Sequence, residues 1–174
     1  LDKVAAGKRD IDVAAYLPHS CLRVYVMGER GINREVATPQ DLAEMRQIAS
    51  EAMSAGAMGF ATSRSIFHLD KFGKPVPTKD SAEPEINAIG EGMRMAGHGV
   101  IEALIDYDDI DAEFGLLRDV SKRNDLPLTF TIAQLLDRPH GWKRALQLVE
   151  EATIDGVNVK GQVIGRPTGL LLGL

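Results

Sequence analysis

Cysteine is nearly absent. The one residue, Cys21, excludes an intrachain disulfide and fits a reducing compartment, so a cytoplasmic location is expected. No apolar run reaches the roughly 20 residues a membrane helix needs, and the first residues, LDKVAAGKRD, carry no signal-peptide pattern. Neither sign of charge dominates: 20 Lys and Arg stand against 25 Asp and Glu, a formal net charge of -5. That balance gives no electrostatic ground for nucleic acid or a membrane as partner. No glycine-rich phosphate loop can be read, neither G-x-G-x-x-G nor G-x-x-x-x-G-K-[ST]. The four histidines form no H-x-H or H-E-x-x-H pair, so the chain shows no recognisable metal constellation of its own.

What is present is a core-forming composition, 174 residues of which 44% are hydrophobic. The stretch from Thr38 to Arg64 organises it. Thr38 reads as a helix N-cap, Pro39 as the first helical residue, and Asp41 places negative charge on the positive end of the helix dipole. Leu42, Met45, Ile48, Ala49, Ala52 and Met53 recur at helical spacing, and Gly56 reads as the left-handed stop. Ala57 to Ala61 then form an apolar run that turns polar at Thr62-Ser63-Arg64, the mark of a strand buried on both faces.

The same unit recurs along the chain. Ile11 to Leu17 reads as a strand, Leu22 to Met27 as a second short strand or extended loop, and Gly28 to Ala37 as a loop. Ser65 to Asp80 is long and irregular, which at its length suggests a functional loop. A helix from Ser81 follows, in which Gly90, Gly92 and Gly97 signal close packing or fraying. Strands are expected at Val100 to Ile105, Leu128 to Ala133 and Val157 to Ile164, with helices at Ile110 to Arg123 and Pro139 to Thr153. Alternation of this kind predicts an α/β fold with a parallel sheet. Without a phosphate loop, a (β/α)8 barrel is favoured over a doubly wound sheet. A full barrel takes about 250 residues, so a partial barrel of four or five units is expected, as one domain over residues 1–174. The start without Met and the apolar end GLLLGL read as a piece of a longer protein.

In either architecture the site lies beyond the carboxyl ends of the strands. The polar residues there are His19-Ser20, Ser63-Arg64, Asp106, Gln134 and Arg166. Taken singly, each is as readily a solvated or capping group; together, five strands deliver polar groups to one rim. His19 is the strongest candidate for catalysis, as general base, metal ligand or hydrogen-bond donor, against the plain alternative of a histidine bonded to nearby backbone. Arg64 and Arg166 are suited to hold a substrate carboxylate. Ser63 lacks the G-x-S-x-G surroundings of a nucleophile and is a candidate for substrate binding, as is Gln134. His68 lies in the long loop, His98 on the amino side of a strand, and His140 beside Pro139 at the surface.

Two segments, PHSCLRVYVMGE and ATPQDLAEMRQIASEAMSAGAMGFATSR, carry a resemblance. They resemble the D-aminoacylase (N-acyl-D-amino-acid deacylase) branch of the amidohydrolase superfamily, whose pattern runs G-H-[ST]-x-L-R, a T-P-[ED]-x-x-x-x-M helix, then A-[IL]-G-[FL]-[ST]-[ST]. The resemblance is close over Asp12 to Arg64 and looser through Gly173. It implies a distorted (β/α)8 barrel, of which this chain covers about the third to seventh strands. It also implies zinc-dependent hydrolysis of an amide. The family's fifth and sixth strands normally end in T-H-M-R and S-H-[HL]-K, and by this register Leu104 and Ile132 occupy the histidine positions. An aliphatic side chain cannot ligate zinc. Pro18 replaces the glycine before His19, and Ile164-Gly165-Arg166 replaces an aromatic Y-P-Y.

The resemblance therefore implies a fragment of an amidohydrolase-like enzyme. Its substrate would be a small molecule with an amide and a carboxylate, such as an N-acyl-D-amino acid. The cofactor is left open, zinc being expected from the family alone. The alternative is a diverged barrel, deficient in its metal site, that binds a small molecule without turnover. Open sheet edges lead to the further expectation that the isolated fragment self-associates.

Overall fold

A computed structural model describes residues 6–8, 10–135, 137–163 and 165. Five strands form one parallel sheet: β1 (Tyr16–Pro18), β2 (Gly59–Ser63), β3 (Val100–Leu104), β4 (Leu128–Thr131) and β5 (Val159–Gln162). Their spatial order is the chain order. The helices are α1 (His19–Met27), α2 (Glu29–Ile32), α3 (Pro39–Ser54), α4 (Glu83–Ala96), α5 (Ile110–Asn124) and α6 (Gly141–Ile154). A doubly wound sheet reverses its strand order partway. This sheet does not, and α3 to α6 pack each against the next. The result is a singly wound arc of a (β/α)8 barrel, as the sequence predicts.

Side-chain alternation divides the sheet faces. Phe60, Ile101, Ala103, Leu128, Phe130 and Val159 are buried toward the helices. They meet Met45, Met53, Ile89, Met93, Phe114 and Leu117 in one continuous core. Phe114 and Phe130 lie 5.3 Å apart at 59°, a tilted pair of favourable geometry. Ala61, Ser63, Val100, Glu102, Leu104 and Thr131 point the other way, to the concave face, and are half-buried.

The α3 reading holds in detail. Thr38 Oγ1 accepts from the Asp41 N–H, while the Asp41 carboxylate accepts from the Thr38 N–H at 2.8 Å, a reciprocal capping box. The Asp41 carboxyl is lowered to about 2, first by Arg30, which forks onto it at 2.8 and 3.0 Å, with the Thr38 bonds adding. Gly97 and Asp125 end α4 and α5 in the left-handed conformation.

Several expectations are corrected, among them Gly28 to Ala37, read as a loop, which carries the short helix α2. Leu22 to Met27 is helical, the body of α1, rather than a strand or loop. His19, Leu22, Arg23 and Met27 are its buried residues, a spacing of three, four and eight that only a helix puts on one face. The first strand is shorter than Ile11 to Leu17. Tyr16 pairs with Gly59, the first residue of β2, so most of the upstream chain has no neighbour to pair with and Ile11 stays 75% exposed. The last strand, β5, covers only Val159–Gln162 of the expected Val157 to Ile164; Ile164 and Arg166 lie outside the described residues. No helix among the described residues is long and apolar enough to cross a membrane.

Candidate active site

Because the sheet is parallel, the carboxyl ends of all five strands meet one rim. His19, Ser63, Arg64, Asp106 and Gln134 all stand at it, following β1 to β4 in turn. Their side chains do not all face one cleft. A cleft opens on the concave side over β1 to β3, lined by Ser20, Ser63, His68, Glu102 and Leu104, with Pro18 and the edge of His19 at one wall.

His19 is the first residue of α1, reached from β1 without a loop. It is only 1% exposed. Its ring stands edge-on to Phe60, centroids 4.9 Å apart. Nδ1 lies 2.8 Å from Thr62 Oγ1 and Nε2 lies 2.7 Å from Glu85 Oε1. Burial lowers the His19 pKa more than the neighbouring Glu85 carboxylate raises it. The neutral ring then donates from Nε2 to Glu85, and Nδ1 accepts the Thr62 hydroxyl proton. Burial pushes the Glu85 carboxyl upward, but the hydrogen bonds from His19 and Arg23, with the charge of Arg23, outweigh it and hold the pKa below its ordinary value. Arg23, itself buried, donates to Glu85, to the Glu35 carbonyl and to the Gly31 carbonyl. The charge of Arg23 is thereby matched by Glu85, and both nitrogens of His19 are engaged within the protein. The sequence expectation of His19 as an open base or ligand meets a ring with no free nitrogen.

Arg64 is likewise committed. Its Nε and Nη2 fork onto the Glu113 carboxylate at 2.5 and 3.1 Å, and Nη1 donates to the Ser81 carbonyl at 2.6 Å. All three faces of the guanidinium are used, joining β2 to the start of α4 and to α5, so the carboxylate clamp expected of it finds its donors taken. Asp106 anchors the long loop: both its oxygens accept from the Ile66 N–H at 3.0 and 3.1 Å, and Lys79 Nζ stands 3.2 Å away. Thr78 Oγ1 donates to the Ser63 carbonyl at 2.6 Å. Pinned at these points, the loop puts His68 into the first cleft, while Ile66 and Phe67 line a second recess with Tyr107, Leu135 and Arg138. Gln134 is exposed after β4, near this second recess. Ser63 is the expected binding residue that the structure leaves facing the cleft. Arg166 lies outside the described residues.

Sequence reasoning missed Glu85 and Arg23. Glu85 reads as an ordinary acid in a helix first turn, where the dipole favours it anyway. Glu102 was likewise passed over as part of an apolar strand; its signal is the one charge within VIEALI.

Among the described residues no group of three or more His, Cys, Asp or Glu could hold a metal ion. Leu104 faces the cleft, as the register to the family implies. Ile132 does not: it is buried in the core toward the helices, in contact range of Gly161. The concave positions next to it are Thr131 and Ala133, neither carrying a metal-binding nitrogen, sulfur or carboxylate.

The comparisons with known proteins agree on one lineage. The chain is 27% identical over 157 residues to the D-aminoacylase of Alcaligenes xylosoxydans xylosoxydans, which covers 87% of this chain and 30% of the relative. A solved D-aminoacylase, described by its binuclear metal centre, superposes with a TM-score of 0.74 at 22% identity, over 91% of this chain and 31% of its own. The N-acyl-D-glutamate deacylase of Bordetella bronchiseptica, solved with zinc and a phosphonate inhibitor, superposes with a TM-score of 0.78 at 16% identity, over 95% and 33%. The chain thus spans about a third of the length of these relatives. The family model described as "Amidohydrolase family" matches residues 1–172, and the chain belongs to that family.

Proposed function

We propose that the chain is the substrate-facing arc of an enzyme that hydrolyses a non-peptide amide, with N-acyl-D-amino acids as the substrate class. The observation that carries this reading is the family match across nearly the whole chain, on a fold whose strand ends open into a concave cleft lined in part by Ser20, Ser63, His68 and Glu102. Zinc, which the family implies, supplies an activated water where it is bound. The described residues do not fit it, because Leu104 and the Ile132 region offer no ligand and His19 has no free nitrogen. The roles assigned to this chain are therefore binding and orientation.

Ser63, with Ser20 beside it, offers hydroxyls to the substrate amide from the cleft wall. Gln134, exposed at the same rim, offers an amide to the outer part of the substrate. His19 acts as a positioning residue, fixing Thr62 and so the end of β2 that carries Ser63. The test is release of free amino acid by the full-length protein from a panel of N-acyl-D-amino acids. Turnover is expected, and Ser63→Ala is expected to raise KM about 2- to 10-fold, the worth of one hydrogen bond. No release from any member of the panel would overturn the reading.

A further inference from the structure

We propose that Glu102 is the specificity-determining residue of the β1–β3 cleft and that it selects substrates carrying a cationic group of guanidinium or alkylammonium chemistry. This rests on the reading of that cleft as a substrate site.

The argument is one of charge accounting. Glu102 sits mid-strand on the concave face, in the interior layer formed with Ala61 and Thr129. It is half-buried and lines the cleft beside Ser63 and His68. Among the described residues no ion pair and no side-chain hydrogen bond reaches its carboxylate, although 12 Arg or Lys ion pairs are made elsewhere. Three cations close beneath the rim are already matched within the protein. Arg23 is matched by Glu85, Arg64 by Glu113, and Lys79 by Asp106. His19 is held neutral by burial. Lys160 shares the layer of Glu102 but stands two strands away, about 9–10 Å along the sheet. It makes no ion pair with Glu102. Tyr16, one layer below, has its phenol pKa raised first by burial and then by the Glu102 charge.

A fixed carboxylate on the floor of a half-enclosed cleft attracts a cation and repels an acid. A guanidinium also matches it geometrically, since one carboxylate accepts two parallel N–H bonds. Among the described residues lining this cleft there is no Arg or Lys to hold a carboxylate. The discriminating part of the substrate over β1 to β3 is therefore its positive end.

The experiment measures binding to the full-length protein by calorimetry. The probes are N-methanesulfonyl-D-arginine and its neutral isostere N-methanesulfonyl-D-citrulline, whose sulfonamides resist hydrolysis and so separate binding from turnover. The arginine probe is expected to bind about fivefold tighter. The preference is expected to shrink as salt rises from about 0.05 to 0.5 M and to vanish in the near-isosteric Glu102→Gln. Equal binding of the two probes, binding of neither, or a preference that survives Glu102→Gln would overturn the proposal. Should that variant fail to fold, a preference in the native protein that ignores salt would do the same. A preference that depends on Glu102, in a protein that hydrolyses no N-acyl amino acid, would leave this inference standing and remove the hydrolase reading alone.

Discussion

Glu85 Oε1 lies 2.7 Å from His19 Nε2, joining the first residue of α1 to the first turn of α4 across 66 residues of sequence. The other Glu85 oxygen takes Arg23, and the other His19 nitrogen takes Thr62. Four polar side chains from three elements thus satisfy one another inside the helix layer, directly beneath the rim. Such a network is costly to form and costlier to break, because each member left alone is a buried charge or an unpaired donor.

Removing Glu85 tests that cost. Glu85→Ala leaves the Arg23 guanidinium buried without its counter-ion and is expected to destabilise the protein by about 3–5 kcal/mol. Arg23→Ala made in the Glu85→Ala background should cost less than it does alone, with a coupling of about 1–3 kcal/mol. Chemical denaturation of the four proteins of the cycle measures both, and strictly additive losses would show that the pair is not coupled.

The same network sets an acid limit. The His19 pKa lies below its ordinary value of 6.5, so the unfolded chain binds a proton there that the folded chain does not. Stability contributed by the neutral ring is complete above about pH 6.5 and is lost as pH falls toward the folded value. Glu85, held below 4.5, adds a second loss at lower pH. Denaturant midpoints taken between pH 7 and 5 are expected to fall with acidification, and His19→Gln is expected to flatten that fall. An unchanged slope in the variant would place the titrating group elsewhere.

The sheet, its order and the α3 cap were legible because each rests on local chemistry. Thr38-Pro39-x-Asp41 writes its own helix start, and polar strand ends follow from where parallel strands stop. The site was legible only as a set of positions. That His19 and Arg64 stand at the rim follows from strand counting; that their polar atoms turn inward to Glu85 and Glu113 depends on helices 66 and 49 residues away. The reading of Leu22 to Met27 as a short strand or extended loop fails for the same reason. Val24 and Val26 favour extension by propensity, and Arg23 turns inward only where Glu85 supplies a buried counter-charge.

Two glycines in neighbouring helices make opposite predictions. A Cβ on Gly92 would stand 2.2 Å from the Arg46 carbonyl oxygen and 2.9 Å from Ala49 Cβ, where α4 presses against α3. Gly92→Ala is expected to force the helices apart at about 1–3 kcal/mol. In α5, Gly115 faces open space, and Gly115→Ala is expected to stabilise by about 0.5–1 kcal/mol through helix propensity alone. Thermal unfolding of the two variants should move in opposite directions; a stabilising Gly92→Ala would mean that α3 and α4 are not in close contact.

Arg64 offers the sharpest separation of structure from binding. Its fork onto Glu113 and its bond to Ser81 need a planar guanidinium with three donor directions. Lysine keeps the charge but only as a point, so Arg64→Lys is expected to destabilise by about 1–3 kcal/mol. Because those donors face protein rather than the cleft, KM for hydrolysed amides should change by less than about twofold. A residue that instead gripped a substrate carboxylate would give the reverse: an unmoved melting temperature and a KM raised tenfold or more. Measuring both quantities on the one variant decides whether this arginine ties β2 to α5 or reaches into solvent when substrate arrives.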